Sequence, residues 1–316
     1  MSNSSRVILL ALFSSLVGPL TANAAGHTYQ GICEASAAAL VDASHVAVAS
    51  DDFSAIMIYQ RGKSKPVAQF AVDDVTDIEG SARIGDTIFW LTSHSLNSSG
   101  EDKKKRKELF ATTVSADGTL SNSGEVYRNL RADLAAALGR SEDRSKALIN
   151  IEGLAATPEG HLLIGLRGPE TIPSDRAIVF ELANPMQLVK LGTGDVGSAQ
   201  ITRVVTMDLS DGPGTSGRGV RDIARVGSRY LVLAGSEPDG GNPPPKLFWW
   251  DGNAEGRVTP GPDADFSGMT PEAIVVWSDH EGEILSDSGG MMINGAECAD
   301  KDPPKGAFFP AIDVKF

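Results

Sequence analysis

The chain repeats itself, and that limits its fold more than any other feature. Five stretches open alike: Cys33-Glu34-Ala35-Ser36-Ala37, Ile78-Glu79-Gly80-Ser81-Ala82, Ile151-Glu152-Gly153-Leu154-Ala155, Val220-Arg221-Asp222-Ile223-Ala224 and Pro271-Glu272-Ala273-Ile274-Val275. A turn and a second apolar run follow each opening, at residues 45–50, 87–92, 161–166, 230–234 and 283–286. Four copies add a third run, at 55–59, 108–114, 177–182 and 246–250. Short β-branched and aromatic runs with Gly, Asp and Pro between them read as consecutive antiparallel strands. A unit of two to four such strands cannot bury its own faces and must pack on its neighbours. The pattern therefore predicts an all-β chain, a β-propeller.

The first polar position of the opening recurs at intervals of 45, 73, 69 and 50 residues. A blade takes roughly 40 to 50 residues, so the two long intervals carry insertions. One holds a polar loop at 96–107 and an Ala/Leu-rich helical stretch at 129–138; the other is Gly-rich from 192 to 219. The expectation is about five blades, with room for a sixth in a long interval, and one short helical insertion. A parallel α/β fold would need a helix after each strand, and a sandwich would not explain the recurrence. Disorder is excluded by a hydrophobic content of 41%.

Residues 1–24 contain Arg6, an apolar run from 7 to 20 and the ending Ala22-Asn23-Ala24. This is the form of a secretory signal peptide. It predicts a mature chain from about Ala25, a single propeller domain over 25–316, and a periplasmic or secreted location. The net charge is −13. Such a surface opposes nucleic acid and anionic lipid, which need clustered cations, so neither nucleic-acid binding nor membrane insertion is expected. The basic run at 103–107 reads as a solvated loop. A monomer is expected. Cys33 and Cys298 lie near the two ends, where export permits oxidation. They are either a disulfide that ties the ring shut or two buried thiols.

In a propeller the innermost strand of each blade starts on one face and the next strand returns to it. Glu34, Glu79, Glu152, Arg221 and Glu272 should then surround one channel mouth. Beside them fall Asp51-Asp52, Ser93-His94-Ser95, Arg167-Gly168-Pro169, Ser236-Glu237 and Asp287-Ser288. Converging carboxylates raise one another's pKa or recruit a cation. Three arrangements resolve the conflict: pairing with Arg167 and Arg221, a hard cation such as Ca²⁺ held by carboxylate and carbonyl oxygens, or acids that cap their own loops and never meet. His94 falls on this face as a candidate proton carrier, or as a histidine bonded into its loop. With Arg167, Arg221 and Asp287 it completes the candidate catalytic set. No G-x-S-x-G elbow accompanies the serines.

Asp77-Ile78-Glu79-Gly80, Asn150-Ile151-Glu152-Gly153-Leu154-Ala155, Phe89-Trp90-Leu91-Thr92-Ser93-His94-Ser95, Gly165-Leu166-Arg167-Gly168-Pro169, Gly217-Arg218-Gly219-Val220-Arg221-Asp222 and Ser286-Asp287-Ser288-Gly289 together resemble the bacterial family of unknown function numbered 3616. The resemblance spans nearly the whole mature chain. It implies an exported propeller and no established activity. More remotely, the E-G-x-A openings are similar to those of phytase-like esterase propellers and of the gluconolactonase and strictosidine-synthase-like group. Central acids in those groups commonly hold calcium. That resemblance implies Glu34, Glu79, Glu152 and Glu272 as metal ligands, with Arg221 breaking the pattern at one blade.

Two readings of function follow. One is a metal-assisted hydrolase of a small or anionic ester, lactone or phosphoester, with Ca²⁺ as Lewis acid, His94 moving protons and Arg167 with Arg221 steadying an anionic group. The other is a non-catalytic envelope propeller whose same face docks a peptide, glycan or protein.

Overall fold

The computed structural model describes residues 26–316 except 52, 73, 147, 169–175, 196, 237–240 and 300–303. The leader expected at 1–24 and the loop residues Asp52, Pro169 and Glu237 lie outside the described residues. Five four-stranded antiparallel sheets form five blades of a propeller. The first runs outward through Ala37–Leu40, His45–Ala49, Ala55–Gln60 and Pro66–Ala71. The second comprises Ile78–Ile84, Thr87–Thr92, Leu109–Val114 and Leu120–Asn122. The third is Ile151–Ala156, Leu162–Leu166, Ala177–Leu182 and Ile201–Met207, and the fourth Gly219–Val226, Arg229–Gly235, Lys246–Trp250 and Val258–Pro260. Each innermost strand touches the next, and the fifth touches the first, so the ring is closed.

There is no sixth blade among the described residues. The long intervals hold helices instead: Leu130–Ala137 where the Ala/Leu-rich stretch stood, then Glu142–Ser145 and, in the next interval, Pro185–Asp195. The first of these is anchored by Arg131, whose buried guanidinium binds Asp102 at 2.7 Å and Glu142 at 2.7 Å.

The fifth blade is assembled from both chain ends. Thr270–Ser278, Glu281–Asp287 and Phe308–Lys315 supply three strands, and Gly26–Gln30 pairs with the last of them as the outermost strand. Gly26 lies opposite Ile312 and Gln30 opposite Phe308. Glu283 stitches this seam from within the blade. Its carboxylate accepts the Tyr29 hydroxyl at 2.7 Å and the Trp277 indole N–H at 2.7 Å, and meets His27 Nε2 at 3.2 Å. Cys33 and Cys298 form a disulfide across 265 residues of chain, packed with Ala307.

The recurring opening has a physical cause. In four blades its second position is skipped by the ladder: Ile78 pairs with Thr92 and Gly80 with Leu91, and the same shift occurs around Glu152, Arg221 and Glu272. A bulge of this kind turns one side chain out of the pleat. The glycine that follows admits the neighbouring blade. A Cβ on Gly80 would stand 2.8 Å from Leu154 Cβ, and one on Gly153 would stand 2.6 Å from Val220 Cγ1. In the fourth blade Asp222 takes the glycine's place. Its carboxylate accepts N–H groups from Ile274 at 2.8 Å, Ile223 at 2.7 Å and Leu154, so it ties three innermost strands together.

Candidate functional site

The bulged side chains meet at one mouth of the channel. Arg221 Nη1 lies 2.8 Å from Glu272 Oε1 and 3.6 Å from Glu152 Oε2, while Arg167 Nη1 lies 2.6 Å from Glu152 Oε1. Arg221 also donates to the Ser236 carbonyl at 3.0 Å. Two of the expected glutamates are therefore charge-paired across neighbouring blades. Partly buried pairs of this kind are strong because low dielectric lengthens the reach of each charge.

Glu79 stands differently. No hydrogen bond or ion pair reaches its carboxylate among the described residues, and it shares the mouth with Asp51 and Asp77. Each of the three offers an oxygen, and these oxygens lie within 4.8 Å of one another. Burial, with repulsion from Asp77, Glu152, Asp51 and Glu272, holds the Glu79 pKa well above the usual carboxylate range. Asp77 is pushed up to about 6, chiefly by burial, against the pull of Arg106 and Ser93 and with Asp51 and Glu152 repelling it. Asp51 Oδ1 is buried without a hydrogen-bond partner among the described residues.

Asp77 is fixed in place. Its backbone sits at φ 69°, a left-handed conformation that side-chain-bearing residues seldom adopt outside constrained sites. Its N–H donates to the Asp51 carbonyl at 2.7 Å, and the Ser93 N–H donates to its own carbonyl at 3.0 Å. Arg106 Nη1 reaches its carboxylate at 2.6 Å, and the Ser93 hydroxyl donates to it as well.

Arg106 comes from the basic run, where Lys103, Lys105 and Lys107 pair with Glu101, Asp74 and Asp102. The run is thus a loop of ion pairs that delivers one arginine to the site. Sequence reasoning missed Arg106 and gave Asp77 no role. The only signal was an acid two residues before Glu79, inside one of the family motifs.

The remaining expected residues have other commitments. Glu34 accepts from the Ser50 hydroxyl at 3.2 Å and is pressed against Gly289, where a Cβ would come within 1.9 Å of its Oε1. Asp287 accepts the Gly289 N–H at 2.6 Å and so caps its own turn. His94 is 0% exposed. Its Nδ1 faces the Thr92 carbonyl at 2.9 Å, its own carbonyl accepts from Arg131, and burial pushes its pKa down to about 4. It is a neutral histidine bonded into its loop with both ring nitrogens buried, the second of its two readings, and it does not serve as an open proton carrier.

Room and charge are separated. Beside Arg221, Ser236 and Thr270 there is a cavity of only about 30 Å³, whereas one of about 650 Å³ opens at the far mouth. No helix among the described residues is long and apolar enough to cross a membrane.

No curated protein sequence matches the chain. Among solved structures, the glutaminyl cyclase of Myxococcus xanthus is 11% identical, with a TM-score of 0.50 over 92% of this chain and 97% of that one. A putative oxidoreductase (glucose dehydrogenase) from a Thermus species is 14% identical, with a TM-score of 0.43 over 91% and 99%. A protein of unknown function from Bacteroides caccae is 11% identical, with a TM-score of 0.37; the match covers 77% of this chain and spans only 65% of that one. At these identities the likeness concerns the fold alone. In sequence, residues 144–258, which contain the third blade and reach into the fourth, match the model of the family described as a protein of unknown function (DUF3616); of the six motifs read above, those at 150–155, 165–169 and 217–222 lie within the match.

Proposed function

We propose that the acidic mouth holds one divalent cation between Asp51, Asp77 and Glu79, and that the chain is a cation-assisted hydrolase of a small anionic ester, lactone or phosphoester. The observation that carries this reading is the convergence of three carboxylates from two blades, with Arg106 their one close cation among the described residues. Hard carboxylate oxygens suit Ca²⁺, and the orphaned Asp51 Oδ1 is an oxygen that a cation would satisfy. The ligand set moves from the ring of glutamates toward Asp51 and Asp77, because Glu152 and Glu272 already have arginine partners.

A bound cation would supply Lewis-acid polarisation of a carbonyl or phosphoryl oxygen. Around it, Arg167 and Arg221 would orient an anionic group, and Asp77, in its constrained backbone, would keep the ligand oxygens aligned. With His94 sealed, proton transfer would fall to carboxylates of the mouth. Export to the periplasm or beyond is part of the reading, supported by the leader-like segment and the disulfide.

Chromogenic esters, lactones and phosphate esters test it. Turnover of one class should vanish with chelator, return with Ca²⁺, and fall at least 100-fold in Glu79→Gln, the size expected for loss of metal-ion catalysis. The small cavity beside Arg221 supports a second reading, in which a glycan or peptide docks across the mouth without entering it. Cation binding with no turnover in any class would select that reading.

A further inference from the structure

The opposite mouth carries a site of different chemistry. We infer that it binds a small polyhydroxylated carboxylate. Its cavity of about 650 Å³ is of the size usual for small-molecule sites. Residues 38–40, 81–85, 154–157, 222–225 and 274–276 line it, so all five innermost strands contribute consecutive residues.

Each of those strands has a sheet neighbour on one side only. On the free edge, alternate N–H and C=O groups face the axis without ladder partners. Asp222 shows which ones: it draws the N–H groups of Leu154 and Ile274 from the edges of the third and fifth blades. By the two-residue period, the groups of Ala156 and Val276 face the same space. A ligand must offer donors and acceptors on neighbouring atoms to satisfy such edges, and hydroxyl groups do both. A hydrocarbon would leave them buried and unpaired.

Two side chains sharpen the inference. Ser81 is 8% exposed and lines the cavity, and its hydroxyl has no partner among the described residues. The charged lining residues differ in their commitments. Asp42 is taken up by His45 and Ser44, and Arg83 is tied to the carbonyls of Gly85 and Leu40. Arg225 is exposed, lines the cavity and makes no ion pair among the described residues. Glu159 feels its charge from beyond salt-bridge distance. An anionic group on the ligand would meet Arg225 at the rim while hydroxyls meet Ser81 and the strand edges.

Calorimetric titration of the mature chain with glucuronate, in chelator so that no cation bridges ligand at the acidic mouth, tests this. Wild type should bind glucuronate and take up glucose at least tenfold more weakly. Arg225→Glu should lose at least tenfold, about 1.4 kcal/mol. Arg225→Lys should stay within about threefold of wild type, and Ser81→Ala should weaken binding about threefold. Arg225 is exposed, so its variants should keep the wild-type circular dichroism. No heat with millimolar glucuronate, equal affinity for glucose, or unchanged binding in Arg225→Glu overturns the inference.

Discussion

Glu79 and Asp77 carry opposite obligations from those of ordinary surface acids. Their folded pKa values lie above the usual range, Asp77 at about 6. An acid raised on folding binds its proton more tightly in the native state, so it favours the fold at low pH and loses that contribution as pH rises through the folded value. Without a cation, the melting temperature should therefore fall between pH 5 and pH 8. Glu79→Gln, which removes the charge and keeps the shape, should raise it at pH 8. Added Ca²⁺ should flatten the pH dependence in the wild type and, at the same concentration, shift Glu79→Gln much less, which scanning calorimetry can follow. Gly219 makes a steric counterpart. A Cβ there would come within 1.2 Å of the Arg167 carbonyl oxygen, a backbone atom that cannot swing aside. Gly219→Ala should cost about 3 kcal/mol or more, read as a shifted urea midpoint.

The closure strand Gly26–Gln30 is held by pairing, by Glu283 and by the disulfide, and each can be removed separately. Replacing Cys33 and Cys298 by serine should cost about 2–5 kcal/mol, because the unfolded chain regains the freedom of a very long loop. The stitch at Glu283 depends on pH from both sides. Bonds from His27, Tyr29 and Trp277 hold the Glu283 pKa below its ordinary value despite burial, while Glu283 lifts that of His27. The acid's contribution is present above its unfolded pKa and fades as pH falls through its depressed folded value. The histidine's contribution is full below its ordinary pKa and fades as pH rises through its elevated one. Amide exchange in residues 26–30 should be slowest at mildly acidic pH and quicken on both sides. Glu283→Gln should speed it at every pH in that range.

At the level of the whole molecule, the repeat carried the fold because each opening serves two packing demands at once, a bulge and a close approach between blades. Glu152-Gly153-Leu154 shows both within three residues. The outer strands were not legible: Leu120–Asn122 and Val258–Pro260 are short and mostly exposed, so they show little alternation. The closing strand pairs partners nearly the full chain apart, and no local pattern announces that. The site was half legible. Blade geometry brought Glu79, Glu152, Arg221 and Glu272 together, but Arg106 arrives on an inserted loop. Sequence left His94 between proton carrier and loop-bonded histidine, and what decides for the second is a left-handed turn that buries it against Arg131.

Titration of the chelator-stripped protein with Ca²⁺ by calorimetry, wild type beside Glu79→Gln, asks most directly whether carboxylates brought together by the ring act as one site. One ion per chain in the wild type, and at least tenfold weaker binding in Glu79→Gln, is the predicted result, with Asp51 and Asp77 left as two ligands of three. No binding at millimolar Ca²⁺, or equal affinity in the two proteins, would contradict it.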